Sequence, residues 1–403
     1  MPLDIDFVRS QFPALSGGWA FFDNAGGSQV LWTVAERVSD YLLTTSVQTG
    51  ASYEISQQAT TRVAEARSRM AQMVGAIRSE EIVFGHSTTV LVRFLATAMA
   101  SQFAPGDEIV VTDFDHESNI GPWMILKERG VIFRTWEIDR DTLALDLDAL
   151  DRLMGPRTRL VCVTHASNIL GTINPIRKIA DFVHARGARV CVDGVAYAPH
   201  RAIDVQALDV DFYVFSLYKT YGPHLAIMYG RYEHLLELDG LYHYFYGKDK
   251  ISAKLEPGNP NYELAWGSVG IVDYLERLGN GAGRKAIERG FDDIAEHETI
   301  IGEKLLSWLR TRNDVKIIGE RDCTAALRVP TISFCVEGKS SAEVVSAVDQ
   351  HKIGVRYGDF HSRRLVEALG LAPSGPIRVS MVHYNTCEEV ERLIEILDGS
   401  ISR

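Results

Sequence analysis

Two residues of this 403-residue chain stand where chemistry would need them, Asp193 and Lys219. Asp193 closes the run Ala188-Arg-Val-Cys-Val-Asp, and an acid emerging from a buried strand is costly unless something positive pairs with it. A protonated pyridine nitrogen is such a partner, because the carboxylate keeps the ring cationic and able to absorb electrons from a substrate carbanion. Lys219 follows Asp211-Phe-Tyr-Val-Phe-Ser and precedes Gly222-Pro223, which places its amine at the same sheet edge, one strand along. A lysine there can form an imine with an aldehyde and move the α-proton of a substrate, and both tasks need a partly neutral amine. Taken singly, a strand-end aspartate is more often a cap or turn residue, and a lysine is more often a solvated surface group. Paired at the ends of consecutive strands they favour pyridoxal 5′-phosphate as cofactor.

The other candidates gather at the same edge. Ser87-Thr88-Thr89 follows the apolar run Glu81 to Phe84 and opens the helical stretch Val90 to Ala100; hydroxyls and free amides at a helix start suit a phosphate dianion, while capping alone would need one of the three. His116, after the run Glu108 to Thr112, has a flat ring that can stack over an aromatic cofactor or rest as a loop hydrogen bond. Asn168, in Thr164-His-Ala-Ser-Asn-Ile-Leu-Gly-Thr, has an amide suited to the cofactor's phenolic oxygen or a substrate carboxylate; the alternative is a turn residue supporting Gly171. Arg378, between apolar residues of Pro376-Ile-Arg-Val-Ser-Met, suits bidentate capture of an α-carboxylate, with a structural ion pair as rival.

These residues require a sheet that brings strand ends together. Short apolar runs at Glu81 to Phe84, Glu108 to Thr112, Val131 to Glu137, Arg159 to Thr164, Arg189 to Asp193, Phe212 to Ser216 and Ala226 to Tyr229 alternate with helix-length segments such as Pro175 to Arg186. That alternation predicts an α/β fold with a mostly parallel sheet, and active groups at the carboxyl ends of its strands. From about Gly283 the texture changes: a long helix (Lys285 to Arg312), strands near Val315 and over Pro330 to Val336, a helix over Ser341 to His351 and a last one over Thr386 to Leu397. We expect an N-terminal segment (1–20) joining a small α+β domain (283–403), and a large cofactor-binding domain (21–282), in keeping with a length beyond one hydrophobic core. A net charge of −11 disfavours nucleic acid and anionic membrane, which are held by clustered Lys and Arg. Met1 to Leu15 reads as neither secretory signal nor anchor. Five scattered cysteines without CxxC spacing predict no disulfide framework and no metal site, hence a reduced, cytoplasmic protein.

The chain resembles the class V aminotransferase family, and within it the cysteine desulfurases, selenocysteine lyases and cysteine desulfurase-like proteins. The likeness runs from Phe21-Phe-Asp-Asn-Ala-Gly-Gly-Ser to Arg378-Val-Ser-Met-Val-His-Tyr-Asn-Thr. Its most specific parts are Asp115-His-Glu-Ser-Asn-Ile-Gly-Pro-Trp, the Asn168 segment, Val192-Asp-Gly and Asp204 to Pro223. It implies a pyridoxal phosphate-dependent transferase of fold type I with a seven-stranded sheet, working as a homodimer with a shared active site. It implies a Schiff base on Lys219, Asp193 under the ring nitrogen and His116 stacked above, these three being the catalytic set. Ser87, Thr88, Thr89, Asn168, Ser216, Tyr218 and Asn259 would be further cofactor contacts, Asn259 toward the neighbouring subunit, where relatives usually offer a threonine. Asn24, Ala25, Asn168, His361 and Arg378 would meet an amino-acid substrate.

Three departures bear on the reaction. No cysteine lies between Cys335 and Cys387, so the loop Val355-Arg-Tyr-Gly-Asp-Phe-His-Ser-Arg-Arg lacks the persulfide-forming thiolate that desulfuration needs. The family's glutamine three residues after the aspartate is Ala196, and the histidine before the lysine is Tyr218. A lyase acting through an α-carbanion, by C–S or other β-elimination, is the leading expectation, with Asp359 and His361 as candidate acid or base groups. Aminotransferase, epimerase, or aldolase or cyclase chemistry of specialised metabolism is the alternative, and a non-catalytic binding protein on this fold is the reading from another class.

Overall fold

The computed structural model describes residues 3–401; Met1, Pro2, Ser402 and Arg403, the outer ends of the expected terminal segments, lie outside the described residues. Its strands are β1 (Ala20–Phe21), β2 (Ile82–Gly85), β3 (Glu108–Thr112), β4 (Ile132–Trp136), β5 (Thr158–Thr164), β6 (Arg189–Asp193), β7 (Phe212–Ser216), β8 (Ala226–Gly230), β9 (Val315–Ile318), β10 (Thr331–Val336), β11 (Ile353–Gly354), β12 (Arg356–Tyr357) and β13 (Ile377–Ser380). Seven form one sheet in the order β2-β8-β7-β6-β5-β3-β4. Only β8 runs against its neighbours, so the expected mostly parallel α/β sheet is present.

The apolar runs form strands because both faces of this sheet are covered. Along β5, Val161 and Val163 enter one core and Leu160 and Cys162 the other; along β7, Tyr213 and Phe215 enter the first and Phe212 and Val214 the second. That period-two division is what a strand imposes on its side chains, and continuous apolar runs follow from burial on both faces. The first core is covered by helices Trp32–Thr44, Glu54–Val74, Ile176–His184 and Tyr262–Leu278, the second by Thr88–Ala98 and the 3₁₀ segment Gly121–Arg129.

The C-terminal region has a separate core around the four-stranded sheet β12-β13-β10-β9 and the helices Arg284–Arg310, Ser341–Asp349 and Cys387–Ile401. The N-terminal segment reaches across: β1 pairs in parallel with β11, while Phe12 lies edge-on among Tyr221, Tyr274, His383 and Tyr384. Among the described residues no helix is long and apolar enough to cross a membrane.

Candidate active site

Strand register brings the chemistry together. Asp193 at the end of β6 lies opposite Thr164 of β5 and Val214 of β7. Gly85 of β2 pairs with Ala226 of β8, which in turn pairs with Ser216 of β7, so the helix beginning at Thr88 starts beside Ser216. The Thr88 hydroxyl is 2.8 Å from the Ser216 hydroxyl, and the Thr88 N–H points at the same oxygen from 3.4 Å. Lys219 sits in the turn just past β7. One cleft is lined by Ser87, Thr88, Thr89, His116, Asn168, Asp193, Ser216, Tyr218 and Lys219, together with Ser118, Thr164, Ala166, Val195 and Ala196.

Burial sets the charge states. The Lys219 amine has no hydrogen-bond or ion-pair partner among the described residues. Burial, helped by the Arg378 charge and opposed by Asp193 and Asp23, lowers its pKa to about 8. Burial raises Asp193 to about 6 against the Val195 N–H, Lys219 and Ser118; one carboxylate oxygen accepts the Val195 N–H at 2.9 Å and the other faces the Ser118 hydroxyl at 3.4 Å. A cation placed against Asp193 would remove that desolvation cost. His116 is lowered to about 3 by burial and by Lys219, His361 and Arg378, which leaves a neutral ring. Its Nδ1 accepts the Ser118 N–H at 3.0 Å, so the ring proton lies on Nε2.

Several expected contacts are already engaged. The Ser87 hydroxyl caps its helix by accepting the Val90 N–H. The Asn24 amide donates to the carbonyls of Phe21 and Ser380, and its oxygen accepts from Tyr384; the Ala25 N–H is taken by Ser380. Both tie the segment after β1 to Ser380 and Tyr384, and neither lines the cleft. Asn168 lines the cleft, yet its amide donates to the Phe360 carbonyl at 3.0 Å and accepts from Ser362 at 2.8 Å. Arg378 is buried and makes the ion pair that rivalled carboxylate capture, with Asp23 at 2.7 Å, leaving Nε unpartnered. His361 lies with its ring centroid 5.4 Å from that of His116. Asn259 is exposed and lines a different hollow with Tyr242, His243 and Tyr246, so within one chain it stands apart from Lys219.

Near Ala196, Tyr197 stacks on His165 at 3.5 Å and His200 is held by Glu298, so neither fills the position of the family's glutamine, whereas Tyr218 lines the cleft with its ring stacked on His224. None of the five cysteines lines the cleft, and burial raises the Cys323 thiol to about 11. Sequence reasoning passed over Ser118, Asp23 and Arg356. All three lie inside segments quoted above, and their value is visible only in distances: Ser118 to His116 and Asp193, Asp23 to Arg378, and Arg356 to Asp23 at 3.8 Å.

Residues 20–393 match the model of the family described as "Aminotransferase class-V". This protein is a class V aminotransferase-family member. It is 45% identical to the "Aminotransferase-like protein FGM3" of Gibberella zeae, over 98% of each chain. It is 35% identical to the "Cysteine desulfurase-like protein ustD" of Aspergillus flavus, over 100% of this chain and 91% of that one. Among solved structures, the cysteine desulfurase of Thermococcus onnurineus NA1 superposes with a TM-score of 0.90 at 27% identity, covering 100% of this chain and 99% of that one. As a class V enzyme the chain has the fold-type I architecture and depends on pyridoxal phosphate. The site fits that cofactor: a buried carboxylate and a buried amine, which faces the Tyr218 ring and makes no hydrogen bond or ion pair among the described residues, share a cleft with the start of a helix.

Proposed function

We propose that this class V enzyme is a lyase that loosens a bond at the α- or β-carbon of a small amino acid, and that it does not transfer sulfur to a cysteine of its own. The observation that carries the reading is the contrast inside one site: a buried amine at Lys219 beside Asp193, and no thiol lining the cleft. Bound pyridoxal phosphate supplies an electron sink for a carbanion at the substrate α-carbon. Lys219 anchors it and, as a partly neutral amine, takes and returns the proton at that carbon. Asp193 would supply the anion that keeps the cofactor's ring nitrogen protonated. Thr88, Thr89 and Ser216 would hold the phosphate, assisted by the Thr89 N–H at the helix start, since the Thr88 N–H faces Ser216 and the Val90 N–H is taken by Ser87. His116 offers a neutral ring with its proton on Nε2, and Arg378 receives the substrate carboxylate by exchanging part of its bond to Asp23. His361, whose ring centroid lies 5.4 Å from that of His116, is the candidate to protonate a departing β-substituent.

Five free thiols suit a reducing compartment such as the cytoplasm, which cell fractionation tests directly. The relatives named aminotransferase-like and cysteine desulfurase-like support the class of chemistry and leave aminotransferase, epimerase and aldolase outcomes as the rivals. Purified protein saturated with pyridoxal phosphate should show the absorbance of covalently held cofactor, and Lys219→Ala should abolish it. A panel of amino acids screened for α-deuterium exchange, pyruvate and sulfide should then give exchange together with loss of a β-substituent. Exchange without elimination, accompanied by an oxo-acid product, would reject the lyase in favour of an aminotransferase.

A further inference from the structure

The turn Asp359–Ser362 is unusual. Phe360 and His361 are consecutive non-glycine residues with positive φ, 50° and 58°, a conformation that a Cβ resists and that persists only where the surroundings over-determine it. Asn168 supplies much of that determination. Its Nδ2 donates to the Phe360 carbonyl at 3.0 Å, its Oδ1 accepts from the Ser362 hydroxyl at 2.8 Å, and its own carbonyl accepts from Arg378 Nη1 at 3.1 Å. The Phe360 ring lies 3.8 Å from the Arg378 guanidinium, and the His361 carbonyl accepts the Glu117 N–H at 2.8 Å, tying the turn to the residue after His116.

We propose that Asn168 is a positioning residue, which clamps this turn so that the His361 imidazole is held beside His116, the histidine that lines the cleft. A primary amide carries a donor and an acceptor side by side, and here one faces each side of the strained pair; a carboxylate would lose the donor and a serine would lose the reach. The consequence is for specificity. The two imidazole centroids are 5.4 Å apart, so a clamped turn would present His361 to the substrate side chain from one fixed place, which favours a β-substituent that leaves as an anion and takes up a proton. This use of His361 rests on the lyase reading above, whereas the clamp itself does not.

The test therefore uses the protein without added cofactor. In Asn168→Ala, and to a smaller degree in Ser362→Ala, the amides of Glu117 and Ser362 should exchange with deuterated solvent faster than in the unaltered protein, by about tenfold for loss of one such hydrogen bond. In histidine-labelled protein the nuclear Overhauser contact between the His361 and His116 rings should vanish in Asn168→Ala and persist in Lys219→Ala. Should Asn168→Ala fail to fold, Ser362→Ala carries the decision alone through its exchange rates. Unchanged exchange in a folded variant, or a ring contact that survives Asn168→Ala, overturns the clamp. A protein that takes up no pyridoxal phosphate would instead defeat the functional reading and leave these measurements standing.

Discussion

At the scale of single residues, the depressed pKa of Lys219 has a direct consequence. The group that attacks the cofactor's aldehyde is the neutral amine, and burial together with Arg378 brings its pKa to about 8. Below that value the neutral fraction rises about tenfold per pH unit, and above it the fraction is saturated. Stopped-flow uptake of pyridoxal phosphate by the apoprotein should accelerate with pH up to about 8 and then level off. A plateau delayed to pH 10 would show an amine in ordinary solvent. Asp193 and Lys219 were legible from sequence because each ends an apolar run, where an ionisable group needs a reason to be. Ser118 and Asp23 were not, because hydroxyls and aspartates are common in loops and only distance separates a partner from a neighbour.

At the scale of elements, the turn from Ser167 to Gly171 after β5 shows how backbone geometry serves the site. Gly171 has φ of 73°, and a Cβ there would come within 2.4 Å of the Thr331 carbonyl oxygen and 2.9 Å of that of Val329. The turn that carries Asn168 is thus pressed against β10. Gly171→Ala should destabilise the protein by about 1–3 kcal/mol from the left-handed backbone alone, more with the clash, read as a lower urea midpoint. All seven strands of the large sheet were legible to within a residue or two, since apolar runs bounded by turn residues identify buried strands. The roles at helix starts were less so: the Ser87 hydroxyl caps its helix and keeps its own O–H to donate into the cleft, and a capping hydroxyl and a phosphate-binding one look alike in sequence.

At the scale of the whole molecule, the helix Trp32–Thr44 leaves Trp32, Leu42 and Leu43 exposed, and Tyr53 and Ile55 follow just beyond it. Exposed apolar side chains of this kind suit an interaction surface, and enzymes of this family are typically dimeric, so this helix is the expected place to test for self-association. Sedimentation should give the mass of two chains, and Leu43→Lys should shift the equilibrium toward one. A single-chain mass at micromolar concentration would sink that expectation, and with it the role of Asn259 toward a neighbouring cleft.

The sequence by itself determined the strand set, the two-faced burial of the sheet and the lysine and aspartate at its edge, because these depend on local periodicity and on the cost of burying charge. The tertiary structure alone decided which polar groups are free. Asn24 and Asn168 have amides of the right kind, but hydrogen bonds to residues about 190 to 360 positions away occupy them, and no local pattern encodes a partner so distant. The same holds for Arg378, whose neighbours in sequence are apolar and whose charge is answered by Asp23 from the other end of the chain.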